Sequence, residues 1–234
     1  AFGKTRLSEV PVEEFQARVN ELREDLGDRA LLRAIHYWYE NDLVDKRWAD
    51  LQNSDIESFI ALTNASGAYG QSVSEHMFAM MWALMKNLHV YAGNQANADW
   101  TDAGRALSPS GMTALVIGTG DIGSHFARLC KSVGMETIGV RRNPSVEAEG
   151  IDHTIGFESL EQALPYADVV AMSVPSTPAT HHLLNADRLA LLKPEALLLN
   201  AGRGDAIDSE ALAAALTGNE LRGAGLDVTE PEPL

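Results

Sequence analysis

From Thr113 onward, short apolar runs alternate with segments whose apolar residues recur every three or four positions. Thr113 to Gly118, Glu136 to Arg141, Ala167 to Val174, Glu195 to Asn200 and Ala224 to Val228 predict strands. Between them, Ile122 to Val133 places Ile122, Phe126, Leu129 and Val133 on one helical face and ends at Gly134. Ser159 to Gln162 has the spacing of a capping box and predicts a short helix through Leu164. Ala186 to Leu192 reads as a helix capped by Asn185, and Asp208 to Leu216 as a helix with Gly218 just beyond its end. Strand and helix repeated in this order predict an α/β fold, a parallel sheet with helices on both faces.

Upstream the pattern differs. Val12 to Leu26 sets Phe15, Val19, Leu22 and Leu26 at helical spacing, and Ala30 to Trp48 is mixed. Thr63 to Gly67 is a turn cluster, followed by a helix from Ser72 to about His89, with Ser72 or Ser74 as cap and Glu75 in the first turn. Met77, Phe78, Met80, Met81, Trp82 and Met85 make that helix apolar almost all round, so burial in a core or a subunit contact is expected. The methionines are read as space-filling.

Charge and composition narrow the picture. The 234 residues carry 18 Lys and Arg against 33 Asp and Glu, a net charge of −15. Such a surface repels phosphate backbones and anionic lipid, which argues against nucleic-acid and membrane partners. The longest apolar run, Met77 to Met85, is shorter than the roughly 20 residues that span a bilayer, and no signal peptide is recognised. A single cysteine, Cys130, allows no internal disulfide and no cysteine-based metal site, and suits a reducing, cytoplasmic setting.

Chemistry enters at Gly118-Thr-Gly120-Asp-Ile-Gly123, a G-x-G-x-x-G sequence between a strand and an amphipathic helix. In that setting Gly118 permits the tight turn, Gly120 leaves bare backbone for a pyrophosphate, and Gly123 lets helix and strand pack closely. The helix N-terminus at Asp121 and Ile122 offers unpaired N–H groups to the anion. The fold expected is therefore a Rossmann-type doubly wound parallel sheet. Arg141 lies eighteen residues beyond Gly123 and is followed by Arg142. A carboxylate at that place would accept the ribose hydroxyls of NAD, whereas an arginine pairs with a 2′-phosphate, so NADP is preferred and NAD remains possible. Arg203, between Gly202 and Gly204 after a buried-looking strand, is placed to grip a carboxylate by two parallel hydrogen bonds. His181-His182 has no second pair of ligands nearby in sequence and is read as surface loop, with no metal site expected.

The glycine motif, Ser173 to Thr180, Asn200 to Asp208 and Asp227-Val-Thr-Glu-Pro-Glu-Pro233 together resemble the D-isomer-specific 2-hydroxyacid dehydrogenase family. Thr63 to Tyr69 and Ser74-Glu75-His76 resemble the segment before that family's cofactor domain. The resemblance implies two domains, a partial substrate domain over 1–70 and an NAD(P)-binding domain with its connecting helix over 71–234. It implies that Arg203 binds the substrate carboxylate and keto oxygen, and that Glu232 partners the catalytic histidine. Asp121 and Ile122 would contact the pyrophosphate. Val174, Pro175, Thr180, Ala201 and Gly202 would line the cofactor, and Asp227 would stand near the nicotinamide amide. The implied reaction is reversible hydride transfer between NADP(H) and a small 2-keto or 2-hydroxy acid such as glyoxylate or hydroxypyruvate. The implied partner is a second copy, a homodimer through the helix from Ser72. Phosphoglycerate or formate dehydrogenases and a non-catalytic cofactor-binding module are the alternatives.

The family's acid–base histidine lies downstream of its glutamate. Here the sequence stops at Leu234, and His76, His89, His153, His181 and His182 all precede Glu232. His76 is read as structural. The substrate domain is expected to be incomplete, since the first sixty residues lack the family's glycine-containing substrate loop. The chain as it stands is expected to bind the cofactor and to reduce 2-keto acids poorly.

Overall fold

The computed structural model describes residues 10, 12–18, 46, 49 and 69–231. The chain divides into two compact units, Ala1–Ala65 and Ser66–Leu234. In the first, helix α1 (Val12–Ala17) carries the buried Phe15. The continuation expected through Leu26, the mixed stretch Ala30 to Trp48 apart from position 46, the turn at Thr63 to Gly67, and Glu232 lie outside the described residues.

The second unit is built on six parallel strands: β1 (Thr113–Ile117), β2 (Glu136–Val140), β3 (His153–Ile155), β4 (Val169–Met172), β5 (Leu197–Asn200) and β6 (Gly223–Leu226). Their order is β3-β2-β1-β4-β5-β6. The order reverses between β1 and β4, and in doubly wound sheets ligands bind at that switch point, outside the carboxyl ends of the strands. The Rossmann-type reading therefore holds. The short β3 was not foreseen; it is half exposed and only partly apolar, so the sequence gives it little pattern.

Residue alternation along the strands sorts the core into two layers. Leu115, Ile117, Val170, Met172 and Leu198 face one side, with Leu160 of α5 (Leu160–Ala163), Leu189 of α6 (Ala186–Leu189) and Leu212 of α7 (Ser209–Thr217). Ala114, Val116, Val169, Ala171, Leu197 and Leu199 face the other, with Met77, Met81 and Met85 of α2 (Gly70–Met85) and Phe126, Ala127 and Cys130 of α4 (Asp121–Ser132). Full burial of a side chain such as Phe126 or Met81 contributes about 1.5–3 kcal/mol. The methionines of α2 are thus core residues of this unit. Among the described residues no helix is long and apolar enough to cross a membrane.

Several local expectations need correction. The long helix breaks at Asn87, which is left-handed (φ 53°), and α3 (Leu88–Ala96) follows it. The buried Asn87 spends its amide on the carbonyl of Ala103, which holds the break. Helix α2 begins at Gly70, so Glu75 is beyond its first turn, and Ser74 Oγ donates to the Gln71 carbonyl instead of capping. Ser159 makes no capping hydrogen bond, because the chain there winds as a 3-10 turn, Phe157–Ser159, before α5. The other two caps form: Asn185 Oδ1 accepts from Arg188 N at 3.1 Å and Asp208 Oδ1 from Ala211 N at 3.0 Å.

Candidate cofactor and substrate site

The glycine turn sits where β1 ends and α4 begins. Gly118 has φ +92°, and a Cβ there would meet the Ser173 carbonyl at 2.8 Å. Ser173 Oγ returns a 2.9 Å hydrogen bond to the Gly118 carbonyl, which ties the ends of β1 and β4 together at the switch point. A Cβ on Gly123 would lie 2.0 Å from the Gly118 carbonyl oxygen, so α4 rests directly on the turn. Gly120 is different: a Cβ there would meet nothing within 4 Å. It is the N-cap of α4 and caps no N–H with a side chain, so the first-turn amides of Ile122 and Gly123 lack intrahelical partners beside open space. Thr119 Oγ1 is buried beside them with no hydrogen-bond partner among the described residues. Orphan amides, an orphan hydroxyl and a bare backbone fit an anionic group at this helix end.

A cavity of about 420 Å³ continues from Gly118. Arg141, Arg142 and Arg188 line it and, among the described residues, no carboxylate does, on a protein of net charge −15. Arg141 is oriented by its own loop, with Nη1 donating to the carbonyls of Val146 and Glu147 at 3.0 and 3.3 Å. Arg188 is spent on Glu161 and on the Leu183 carbonyl. Arg142 makes no hydrogen bond or ion pair with the described residues. Val174, Pro175 and Thr180 line the same cavity. The Thr180 hydroxyl is turned into its own loop, donating to the Pro175 carbonyl at 2.6 Å and accepting from Thr177 N at 2.9 Å, so it shapes the wall.

Beyond β5 the buried Asn200 organises the next loop. Its Oδ1 accepts from Gly202 N at 3.0 Å and its Nδ2 donates to the Arg203 carbonyl at 2.9 Å. A Cβ on Gly202 would strike Val174 O at 2.7 Å, and one on Gly204 would strike Thr229 O at 2.2 Å. The Arg203 loop is therefore wedged between the segments after β4 and β6. Arg203 is exposed, with Nη1 donating to the Gly202 carbonyl at 2.8 Å. Asp227 N donates to the Asn200 carbonyl, and its Oδ1 stands 3.5 Å from His76 Nε2 of α2.

The structure thus gathers Gly118, Gly120, Asp121, Ile122 and Gly123 at one helix end, and Arg141, Arg142, Val174, Pro175 and Thr180 around one cavity. Ala201, Gly202, Arg203 and Asp227 follow along the carboxyl edge of the sheet. Sequence reading missed Thr119, Asn200, Arg188 and the His76–Asp227 contact. Of these only Asn200 carried a signal, a polar side chain ending a wholly apolar strand. Cys130 is no nucleophile here: burial pushes its thiol up to about 12.

A parallel sheet in this order, with a bare helix N-terminus at its switch point, defines a dinucleotide-binding α/β domain. Residues 78–234 match the family "D-isomer specific 2-hydroxyacid dehydrogenase, NAD binding domain", and the chain belongs to that family. It is 33% identical over 195 residues to a glyoxylate reductase of Pyrococcus furiosus, a match covering 77% of this chain and 57% of that protein. The fold overlays phosphoglycerate dehydrogenase from Lactobacillus plantarum with a TM-score of 0.68 at 35% identity, over 72% of this chain and 55% of that one. D-lactate dehydrogenase from Aquifex aeolicus, complexed with NAD and lactic acid, overlays with a TM-score of 0.63 at 33% identity, over 70% and 49% of the two chains. The chain spans a little over half the length of the glyoxylate reductase it matches.

Proposed function

We propose that this chain carries the cofactor site of an NADP-preferring dehydrogenase that interconverts small 2-keto and 2-hydroxy acids, of the glyoxylate and hydroxypyruvate reductase kind. The observation that carries the reading is the pairing of a bare helix N-terminus at Gly120 with an arginine-lined cavity that, among the described residues, holds no carboxylate. Asp121, Ile122 and Gly123 amides would hold the pyrophosphate, and Gly118 and Gly120 leave it room. Arg141 and Arg142 would take the 2′-phosphate. Val174, Pro175, Thr180, Ala201 and Gly202 would line the cofactor, and Asp227 would orient the carboxamide.

A bound nicotinamide supplies or accepts the hydride. Arg203 would bind the substrate carboxylate through two parallel hydrogen bonds and stabilise the negative charge that grows on the keto oxygen. Glu232 would raise the pKa of a histidine that delivers the proton to that oxygen. A second copy of the chain is the proposed partner. Trp100, wholly exposed, and the half-exposed Tyr91 and Leu88 offer it apolar surface, and a reducing, cytoplasmic setting suits the lone Cys130.

Titration of the protein with NADPH and with NADH, followed by tryptophan fluorescence, tests the reading. Tighter NADPH binding is expected. Equal or tighter NADH binding overturns the preference, and binding of neither overturns the cofactor site.

A further inference from the structure

We propose that His181, His182 and Glu230 form a site for a divalent transition-metal ion of the zinc class. The two histidines follow β4 and the glutamate follows β6, segments far apart in sequence. One ligand atom from each side chain lies within 4.8 Å of the others. Zinc takes imidazole nitrogen and carboxylate oxygen at about 2.0–2.2 Å, so small side-chain rotations bring the three atoms onto one ion and leave a fourth position for water.

Adjacent residues in extended backbone point their side chains apart. Here they do not. His182 is left-handed (φ 46°), and its ring stacks on that of His181 with centroids 4.1 Å apart and planes 21° apart. Both nitrogen donors are thereby presented together. The backbone under them is anchored: His181 N donates to the Thr177 carbonyl at 3.0 Å and His182 N to the Asp205 carbonyl at 2.8 Å. Glu230 is anchored in turn, its carbonyl accepting from Ser209 Oγ at 2.9 Å. None of the three side chains makes a hydrogen bond or ion pair with the described residues, so no lysine or arginine competes for the carboxylate.

The donor set gives selectivity. Two imidazoles and one carboxylate suit zinc, nickel or cobalt, whereas magnesium and calcium prefer oxygen alone. A bound ion would tie the loop that walls the arginine cavity to the segment after β6. This site is independent of the nucleotide reading, and its test needs neither cofactor nor substrate.

Calorimetric titration of the full chain with ZnCl2 and, separately, with MgCl2 at pH 8 decides it, alongside His181→Gln, His182→Asn and Glu230→Gln. Asparagine tolerates the left-handed backbone at 182, and all three positions are exposed, so the unliganded melting curves should coincide. The expected result is one equivalent of zinc and no magnesium heat. Each variant should lose at least about tenfold in zinc affinity, the lower end of what even indirect partners of a metal are worth. Zinc should also raise the melting midpoint of the parent more than that of any variant. No zinc bound at about 100 μM, well above the affinity expected of such a site, overturns the proposal. Variants that all bind zinc within about twofold of the parent overturn it too, since the ion then sits on other histidines.

Discussion

A Cβ on Gly123 would stand 2.0 Å from the carbonyl oxygen of Gly118, so the first turn of α4 lies on the end of β1 with no room for even a methyl group. Three residues earlier Gly120 faces open space, with a φ of −79° that any residue adopts. Two glycines of one motif therefore carry different burdens.

Their alanine variants should separate stability from binding. Gly123→Ala must push helix from strand and is expected to cost about 3 kcal/mol in urea unfolding, at the upper end of overpacking. Gly120→Ala should cost less than about 1 kcal/mol, the scale of an N-cap change, yet lower NADPH affinity at least about tenfold. Equal destabilisation by both would refute the division.

Arg142 gives the cleaner test of cofactor choice, because Arg141 also holds the carbonyls of Val146 and Glu147. Arg142→Ala should leave the melting point unchanged and weaken NADPH binding about tenfold or more, the worth of one charge-assisted hydrogen bond, with NADH untouched. A parallel loss for both nucleotides would remove Arg142 from phosphate recognition.

Asn200 is buried and both ends of its amide are engaged with the Arg203 loop. Asn200→Ala strands the buried Gly202 N–H and the Arg203 carbonyl and should cost about 2–3 kcal/mol in denaturant unfolding. Asn200→Asp, which keeps the acceptor for Gly202 N, should recover part of that loss. A variant as stable as the parent would show that the loop is held by its glycine contacts alone.

Asp152 should shape the acid limb of stability. Its hydrogen bond with Lys131 holds the carboxyl below its ordinary value of 3.8; partial burial opposes this, and Thr137 adds further hydrogen bonds. A depressed folded pKa contributes stability that is present above the unfolded value and lost as pH falls through the folded one. The parent should therefore melt higher than Asp152→Asn at pH 6, with the gap closing below about pH 3.8 as the carboxyl protonates. A gap constant down to pH 2 would mean that the charge contributes nothing.

Much of the fold was legible because both faces of the sheet are covered. Apolar runs such as Leu197 to Leu199 have no other use than a buried strand, and α4 shows its inward face every three or four residues. Local chemistry was less reliable. Asn185 and Asp208 cap their helices, but Ser159 has the same kind of signal and caps nothing, since a 3-10 turn occupies the place. The break at Asn87 was illegible because a long-range bond to Ala103 stabilises it.

The sequence by itself determined the glycine turn, the strand–helix alternation and the arginines, since each depends on neighbours within a few residues. Only the tertiary structure decided that Asn200 grips the Arg203 loop, that His76 stands beside Asp227, and that Glu230 comes to the two stacked histidines. The Asn200 bonds stay within one turn whose backbone is set by its neighbours, while the other two pairings join segments far apart in sequence, α2 to the end of β6 and the loop after β4 to the segment after β6, a juxtaposition that follows from crossover topology and that no local pattern of residues encodes.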